Sequence, residues 1–208
     1  MILSDRDIIK AQRNGDITIK PFNRKNVQPA SVDVHLDKHF LVFDTTNNFV
    51  IDPKTSTEGL MTPVEITADK PFILHPGEFA LGLIYEETGV SDRYACRLEG
   101  KSSLGRLGLI IHTTAGFLDP GNSLKLTLEL FNAGSLPIKL HYKMAIGQVA
   151  FEELSSPCEK PYGSKGLNSK YYRDSRPVAS KMYLNFDKSK KSATKAAKAK
   201  EKTKKGGK

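Results

Sequence analysis

The chain has 208 residues, 38% of them hydrophobic and 26% charged, with no tryptophan and a formal net charge of +9. That length suits one medium domain with a sizeable core, and no apolar run is long enough to predict a membrane span. Residues 188–208 hold ten lysines and one glutamate, leaving 22 of the 32 cationic residues against 22 of the 23 acidic ones elsewhere. The body is therefore neutral, which argues against a basic nucleic-acid-binding domain.

In chain order, Ser4 with Asp7 three residues later reads as a helix start, and Asn14-Gly15 as its end. The opening residues reach Asp5, Arg6 and Asp7 without the apolar core of a signal peptide. Short strands are predicted over 31–36, 39–43, 71–74, 79–85, 94–98, 124–132, 137–140 and 145–153, with His75-Pro76-Gly77 as one of the turns. Pro53, Gly59 and Pro63 mark a loop. Many short strands separated by Gly and Pro predict an all-β barrel or jelly roll, with neither βαβ alternation nor an internal repeat. Residues 155–186, polar and rich in Gly, Ser, Tyr and Lys, read as an ordered arm that packs over another surface such as a neighbouring subunit. Residues 188–208 read as a disordered Lys-rich tail, either a solubilising extension or a weak contact for polyanions. Cys96 and Cys158 stand far apart and suggest no disulfide framework, so a reducing cytoplasmic location is expected.

Residues 99–132 carry the most chemistry. Gly100-Lys101-Ser102-Ser103-Leu104-Gly105-Arg106 combines glycines, hydroxyls and two cations. If 101–106 form one helical turn, Ser102 and Arg106 share a face and can address one anionic group; the alternative is an ordinary Gly/Ser loop with exposed cations. Ala115 to Gly121 is a tight turn of small residues holding Asp119. Beyond it, Leu124, Leu126, Leu128 and Leu130 alternate with Lys125, Thr127, Glu129 and Phe131. Glu129 then either faces solvent on an antiparallel sheet or lies in a cleft or subunit interface. The five histidines fall in no HxE or HExxH pattern and no CxxC occurs, so zinc-dependent deamination and a structural zinc site are not expected. A GxSxG elbow and a Walker A loop are also missing from the sequence.

The run Glu99 to Asn132, taken with Gln148, Pro161-Tyr162-Gly163, Leu3 to Asp7 and Gln28-Pro29-Ala30-Ser31-Val32-Asp33, resembles the dCTP deaminase family of the dUTPase-like superfamily. It is most similar to the bifunctional members, which convert dCTP to dUMP with release of ammonia and diphosphate. Gly116, with Phe117 beside it, carries that distinction: it resembles the corresponding turn of dUTPases, where monofunctional deaminases typically have His. The resemblance implies a mainly β, dUTPase-like distorted jelly roll or β-barrel with a short N-terminal helix, assembling as a homotrimer. It implies a domain over 1–187, of which about 155–187 is a closing arm, ahead of the tail at 188–208.

The resemblance also assigns roles. Glu129 would be the general base that activates water against cytosine C4 and returns the proton to the leaving amine, with Ser102 and Arg106 lining that water. Lys101, Ser102, Ser103, Leu104, Gly105 and Arg106 would cradle the triphosphate. Asp119 would meet the deoxyribose or place a water for attack on phosphorus. The main chain of Thr127, Leu128 and Glu129 would read the pyrimidine. Gln148, Tyr162, Lys170 and Asp174 occupy positions that hold the nucleotide. Mg²⁺ would ride on the phosphate oxygens, with no protein-only metal site and no zinc. Asp174 stands where family members usually have Gln, and Asn122 and Leu124 stand where they have a bulky aromatic residue and Gly. The alternatives are a monofunctional deaminase releasing dUTP, a dUTPase without deamination, and a nucleotide-binding module served by its basic tail.

Overall fold

A computed structural model describes residues 1–114 and 116–186. The lysine-rich tail expected over 188–208 lies outside the described residues. The chain begins with helix α1 (Asp5–Asn14) and strand β1 (Ile17–Lys20), followed by β2 (Val27–Gln28), β3 (Ser31–His35), β4 (His39–Phe43) and β5 (Met61–Glu65). Next come β6 (Phe72–Leu74), β7 (Phe79–Val90), β8 (Tyr94–Gly100), the single-turn helix α2 (Ser102–Gly105), β9 (Leu109–Ile110) and β10 (Phe117–Leu118). The last strands are β11 (Ser123–Asn132), β12 (Ile138–Leu140) and β13 (Ala145–Glu153). The expected mainly β architecture with one short N-terminal helix is what forms.

Helix α1 buries Ile8 and Ala11, one helical turn apart within a polar surround, and ends where Gly15 adopts φ 82°. Ser4 departs from its expected role. Its hydroxyl donates to the Asp7 carboxylate at 3.1 Å instead of accepting a main-chain N–H.

The strands form two main antiparallel sheets. One runs β5-β4-β7-β11-β9, with β1 also on β7; the other runs β10-β8-β13-β3-β2. Strands β6 and β12 make a separate pair. Apolar residues of both main sheets, among them Leu128, Leu130, Val149, Phe151 and Cys96, join one core. Burial pushes the Cys96 thiol far above the usual cysteine range, so it behaves as a small hydrophobe.

Strand β5 corrects the loop expected around Pro63. A proline disrupts a central strand because it has no N–H, but β5 is the outermost strand of its sheet, where only one side needs bonds. Strands β1, β2, β9 and β10 are also additional to those expected from the sequence. β11 follows its alternation: Leu124, Leu126, Leu128 and Leu130 are buried, and Lys125, Thr127, Glu129 and Phe131 are half-buried. Its register against β7 shifts between Lys125 and Thr127, a bulge the pattern did not announce.

The chain divides into two compact units, Met1–Phe43 with Met61–Val178, and Asp44–Leu60 with the described residues from Ala179 onward. Of the expected arm, residues 155–178 belong to the larger unit and 179–186 to the smaller. Within the smaller unit, the Thr57 hydroxyl donates to the Ser180 carbonyl at 2.8 Å and Lys54 lies 5.7 Å from the Phe186 ring centre. Among the described residues, no helix is long and apolar enough to cross a membrane.

Candidate active site

Three segments of the larger unit hold the residues singled out in the sequence. The first leaves β8 at Gly100 and winds into α2. The Arg106 N–H donates to the Ser102 carbonyl at 3.0 Å, closing the single helical turn that the spacing suggests. Ser102, Ser103, Gly105 and Arg106 are exposed, while Leu104 packs against the core. The turn is sealed at Gly108 (φ 90°), where a Cβ would lie 2.6 Å from the Gly134 nitrogen. Lys101, just before α2, is tied down: its ammonium is 2.7 Å from Asp33 Oδ1.

The second segment is β11. Glu129 is half-buried, and its Oε2 accepts hydrogen bonds from the main-chain N–H groups of Thr113 (2.9 Å) and Thr114 (3.3 Å). Among the described residues nothing donates to Oε1, and neither Ser102 nor Arg106 bonds to Glu129 within the one chain. Along the strand edge, Glu129 N–H donates to the Ile111 carbonyl at 2.9 Å and Lys125 N–H to the Asp174 carbonyl at 3.1 Å. Thr127 lies between them with the same parity, so its main-chain groups point out of the same edge, beyond the short pairing of β9 at 131–132. Leu128 turns its side chain fully into the core and could offer a ligand only its main chain.

The third segment runs from Thr113 through the 116–121 turn to the arm. Gly116 accepts from Leu98 N–H at 2.6 Å. A Cβ there would meet the Leu98 carbonyl oxygen at 2.8 Å and the His112 ring at 3.0 Å, so the turn admits only glycine without shifting. Phe117 is half exposed, with the Arg97 guanidinium 5.7 Å from its ring centre. Asp119 remains open to solvent, yet partial desolvation raises its carboxyl above the usual carboxylate range.

The arm is fastened to this turn. Tyr162 N–H donates to the Pro120 carbonyl at 2.8 Å, and the Tyr162 hydroxyl accepts from Tyr171 N–H at 3.2 Å. The buried Asn122 carboxamide oxygen accepts from Ser123 N–H at 3.0 Å and from Arg173 N–H at 3.3 Å. Lys170 and Asp174 are half-buried. Asn122 thus seats the arm beside Asp174, and the Lys125 N–H holds Asp174 by its carbonyl. Gln148, on β13, accepts a hydrogen bond from the Ser31 hydroxyl at 2.9 Å.

A family model described as dCTP deaminase-like matches residues 2–154. The chain belongs to the dCTP deaminase-like family. A protein of Leifsonia xyli subsp. xyli named dCTP deaminase, dUMP-forming, is 50% identical over 199 residues, covering 96% of this chain and 99% of the relative. One of the same name from Corynebacterium kroppenstedtii is 53% identical over 186 residues, covering 89% of this chain and 100% of that one. Among solved structures, the 2′-deoxycytidine 5′-triphosphate deaminase of Agrobacterium tumefaciens superposes with a TM-score of 0.56 at 20% identity, over 72% of this chain and 46% of that one, a likeness of fold.

Sequence reasoning attached no role to Ser31, Asp33, Thr113 or Thr114. The alternation of Ser31-Val32-Asp33 was available as a signal, since it places Ser31 and Asp33 on one strand face. Thr113 and Thr114 act through their main chain and leave no mark in residue type.

Proposed function

We propose that this chain is a dCTP deaminase that carries its substrate on to dUMP, working as a homotrimer on a magnesium-bearing nucleotide. The observation that carries the reading is the Glu129 carboxylate: one oxygen is clamped by two main-chain N–H groups, and the other has no donor among the described residues. A base oriented in that way is suited to take a proton from water. Relatives named dCTP deaminase, dUMP-forming, at 50–53% identity over nearly their whole length support the substrate and the product.

In this reading the pyrimidine lies against the open main-chain edge at Thr127, bounded by Ile111 and Asp174. Water attacks C4 as Glu129 accepts one of its protons and passes it to the amino group, which leaves as ammonia when the C–N bond breaks; the remaining hydroxyl proton ends on N3 as the C4 carbonyl forms. Ser102 and Arg106 supply donors to the tetrahedral centre. Both are exposed, and in the proposed homotrimer α2 of one copy would meet β11 of the next. Lys101, Ser103, Leu104, Gly105, Gln148, Tyr162, Lys170 and Asp174 surround the phosphates. Asp119 orients the second water, which attacks the α-phosphorus and expels diphosphate. The Gly116-Phe117 turn provides the space for that step.

Among the described residues no three His, Cys, Asp or Glu side chains gather to hold a metal ion. In this reading the cation is held chiefly by phosphate oxygens and water, and Mg²⁺ bound there would neutralise developing phosphate charge.

The test is product analysis. Purified protein given dCTP and Mg²⁺ should release ammonia and diphosphate in step, with dUMP as the nucleotide product. Accumulating dUTP overturns the second step, and absence of ammonia overturns the whole reading. Light scattering should give the mass of three chains.

A further inference from the structure

Strand β3 presents two polar side chains on one face, and each ends on a residue of the phosphate-binding set. Ser31 donates its hydroxyl to Gln148 Oε1 at 2.9 Å. Asp33 lies directly across from Gln148 in the β13–β3 register and holds the Lys101 ammonium at 2.7 Å through Oδ1. The other Asp33 oxygen faces the Gln28 amide at 3.4 Å. Ser31 is buried, and Asp33 and Lys101 keep only 17% and 27% of their side-chain surface exposed.

We propose that Ser31 and Asp33 are positioning residues for the nucleotide triphosphate: Ser31 fixes the Gln148 amide, and Asp33 fixes the Lys101 ammonium. The inference rests on the functional reading given above and goes beyond it, because neither residue has a role there.

The chemistry of each link is specific. A carboxamide can turn by half a revolution at little cost, offering either its oxygen or its two N–H donors. A hydroxyl donating to Oε1 holds the oxygen inward and leaves the donor end for an anion. Lysine ends a flexible four-carbon stem and loses much rotamer freedom when it meets a phosphate. An ion pair that is already made removes that freedom before the ligand arrives, and two of the three ammonium protons remain to be shared.

The Asp33 link is decided by the sign of an effect. Asp33 is an anion close to where a highly anionic ligand would lie. As a mere neighbouring charge it repels the triphosphate, and Asp33→Asn would tighten binding. As an anchor for Lys101 it assists binding, and the same substitution weakens it.

The experiment is calorimetric titration of the full chain with dCTP and Mg²⁺, paired with steady-state kinetics. Asp33→Asn is expected to weaken dCTP binding about tenfold, a loss equal to one charge-assisted hydrogen bond. Ser31→Ala is expected to weaken it about threefold to tenfold on the same grounds. In both variants KM should rise while kcat stays within about twofold, and Ser31→Thr, which restores the hydroxyl, should recover wild-type KM. Lys101→Met with Asp33→Asn should bind no more weakly than Lys101→Met alone.

Tighter or unchanged binding by Asp33→Asn overturns the Asp33 link. Ser31→Ala indistinguishable from wild type, or Ser31→Thr as weak as Ser31→Ala, overturns the Ser31 link. Removal of one hydroxyl disturbs the fold least, so Ser31→Ala keeps the proposal testable even if Asp33→Asn does not fold. Wild-type protein that fails to bind dCTP overturns the functional reading itself, an outcome distinct from variants that match a competent wild type.

Discussion

The Glu129 carboxylate and the Lys101–Gln148 pair are held in opposite ways. Glu129 is oriented by two consecutive main-chain N–H groups from the Thr113-Thr114 segment. Lys101 and Gln148 are oriented by side chains of β3, 68 and 117 residues away in sequence, which reach them only because β3, β13 and β8 are neighbours in one sheet. A group held by the main chain keeps its place when nearby side chains change. A group held by distant side chains can be loosened by one substitution that never touches the ligand.

Glu129→Gln offers the largest test of this contrast. The amide oxygen can still accept from Thr113 and Thr114, so the geometry persists while the proposed base is lost. Ammonia release should fall by about 10²–10⁴-fold with dCTP affinity within a few-fold, read by kinetics and calorimetry together. A parallel collapse of affinity would show that the main-chain clamp depends on charge.

Gly116→Ala strains the segment that carries the clamp. Its Cβ has no room beside the Leu98 carbonyl and His112, so the turn must move, at a cost of about 1–3 kcal/mol. The expected result is a lower melting temperature, and chromatography of the products should show dUTP appearing at the expense of dUMP. An unaltered product ratio would separate the turn from the second step.

Asn122→Ala removes one side-chain link to the arm and leaves the main-chain links through Pro120 and Asp174. We expect a stability loss of about 1 kcal/mol and a rise of a few-fold in KM for dCTP, checked by denaturant titration and initial rates. A KM as large as that of a chain cut before Tyr162 would mean that this one carboxamide holds the whole arm.

The smallest expected effect concerns Asp119. Desolvation raises its carboxyl in the folded chain above the unfolded value, so the folded state binds this proton more tightly. Its stabilising contribution is complete below the unfolded pKa and is lost as pH rises through the folded one. Asp119→Asn should therefore slightly raise the melting temperature above the carboxylate range and lose that advantage at acidic pH. A pH-independent difference would remove desolvation as the cause.

The sequence disclosed what is local and periodic. The β11 alternation was legible because leucine recurs at every second position, and the Ser102/Arg106 turn because four residues close one turn. The shift in register after Lys125 was hidden, since it depends on how β7 pairs with β11 rather than on the β11 pattern. The Asp33–Lys101 pair was hidden because it needs the strand register rather than sequence proximity. Strand β5 was misread because Pro63 signals a loop unless the strand is known to lie at an edge. The departures at Asn122 and Asp174, which looked unrelated in sequence, meet at the place where the arm is seated.

Pro63 has a consequence for how copies of this chain can meet. The outer side of β5 would otherwise present an unbroken row of donors and acceptors, a template on which another polypeptide could extend the sheet. A residue with no N–H in the middle of that row makes the template defective. Self-association through this margin is thereby discouraged, and a crowded solution of the protein keeps one common route to fibrous aggregates obstructed.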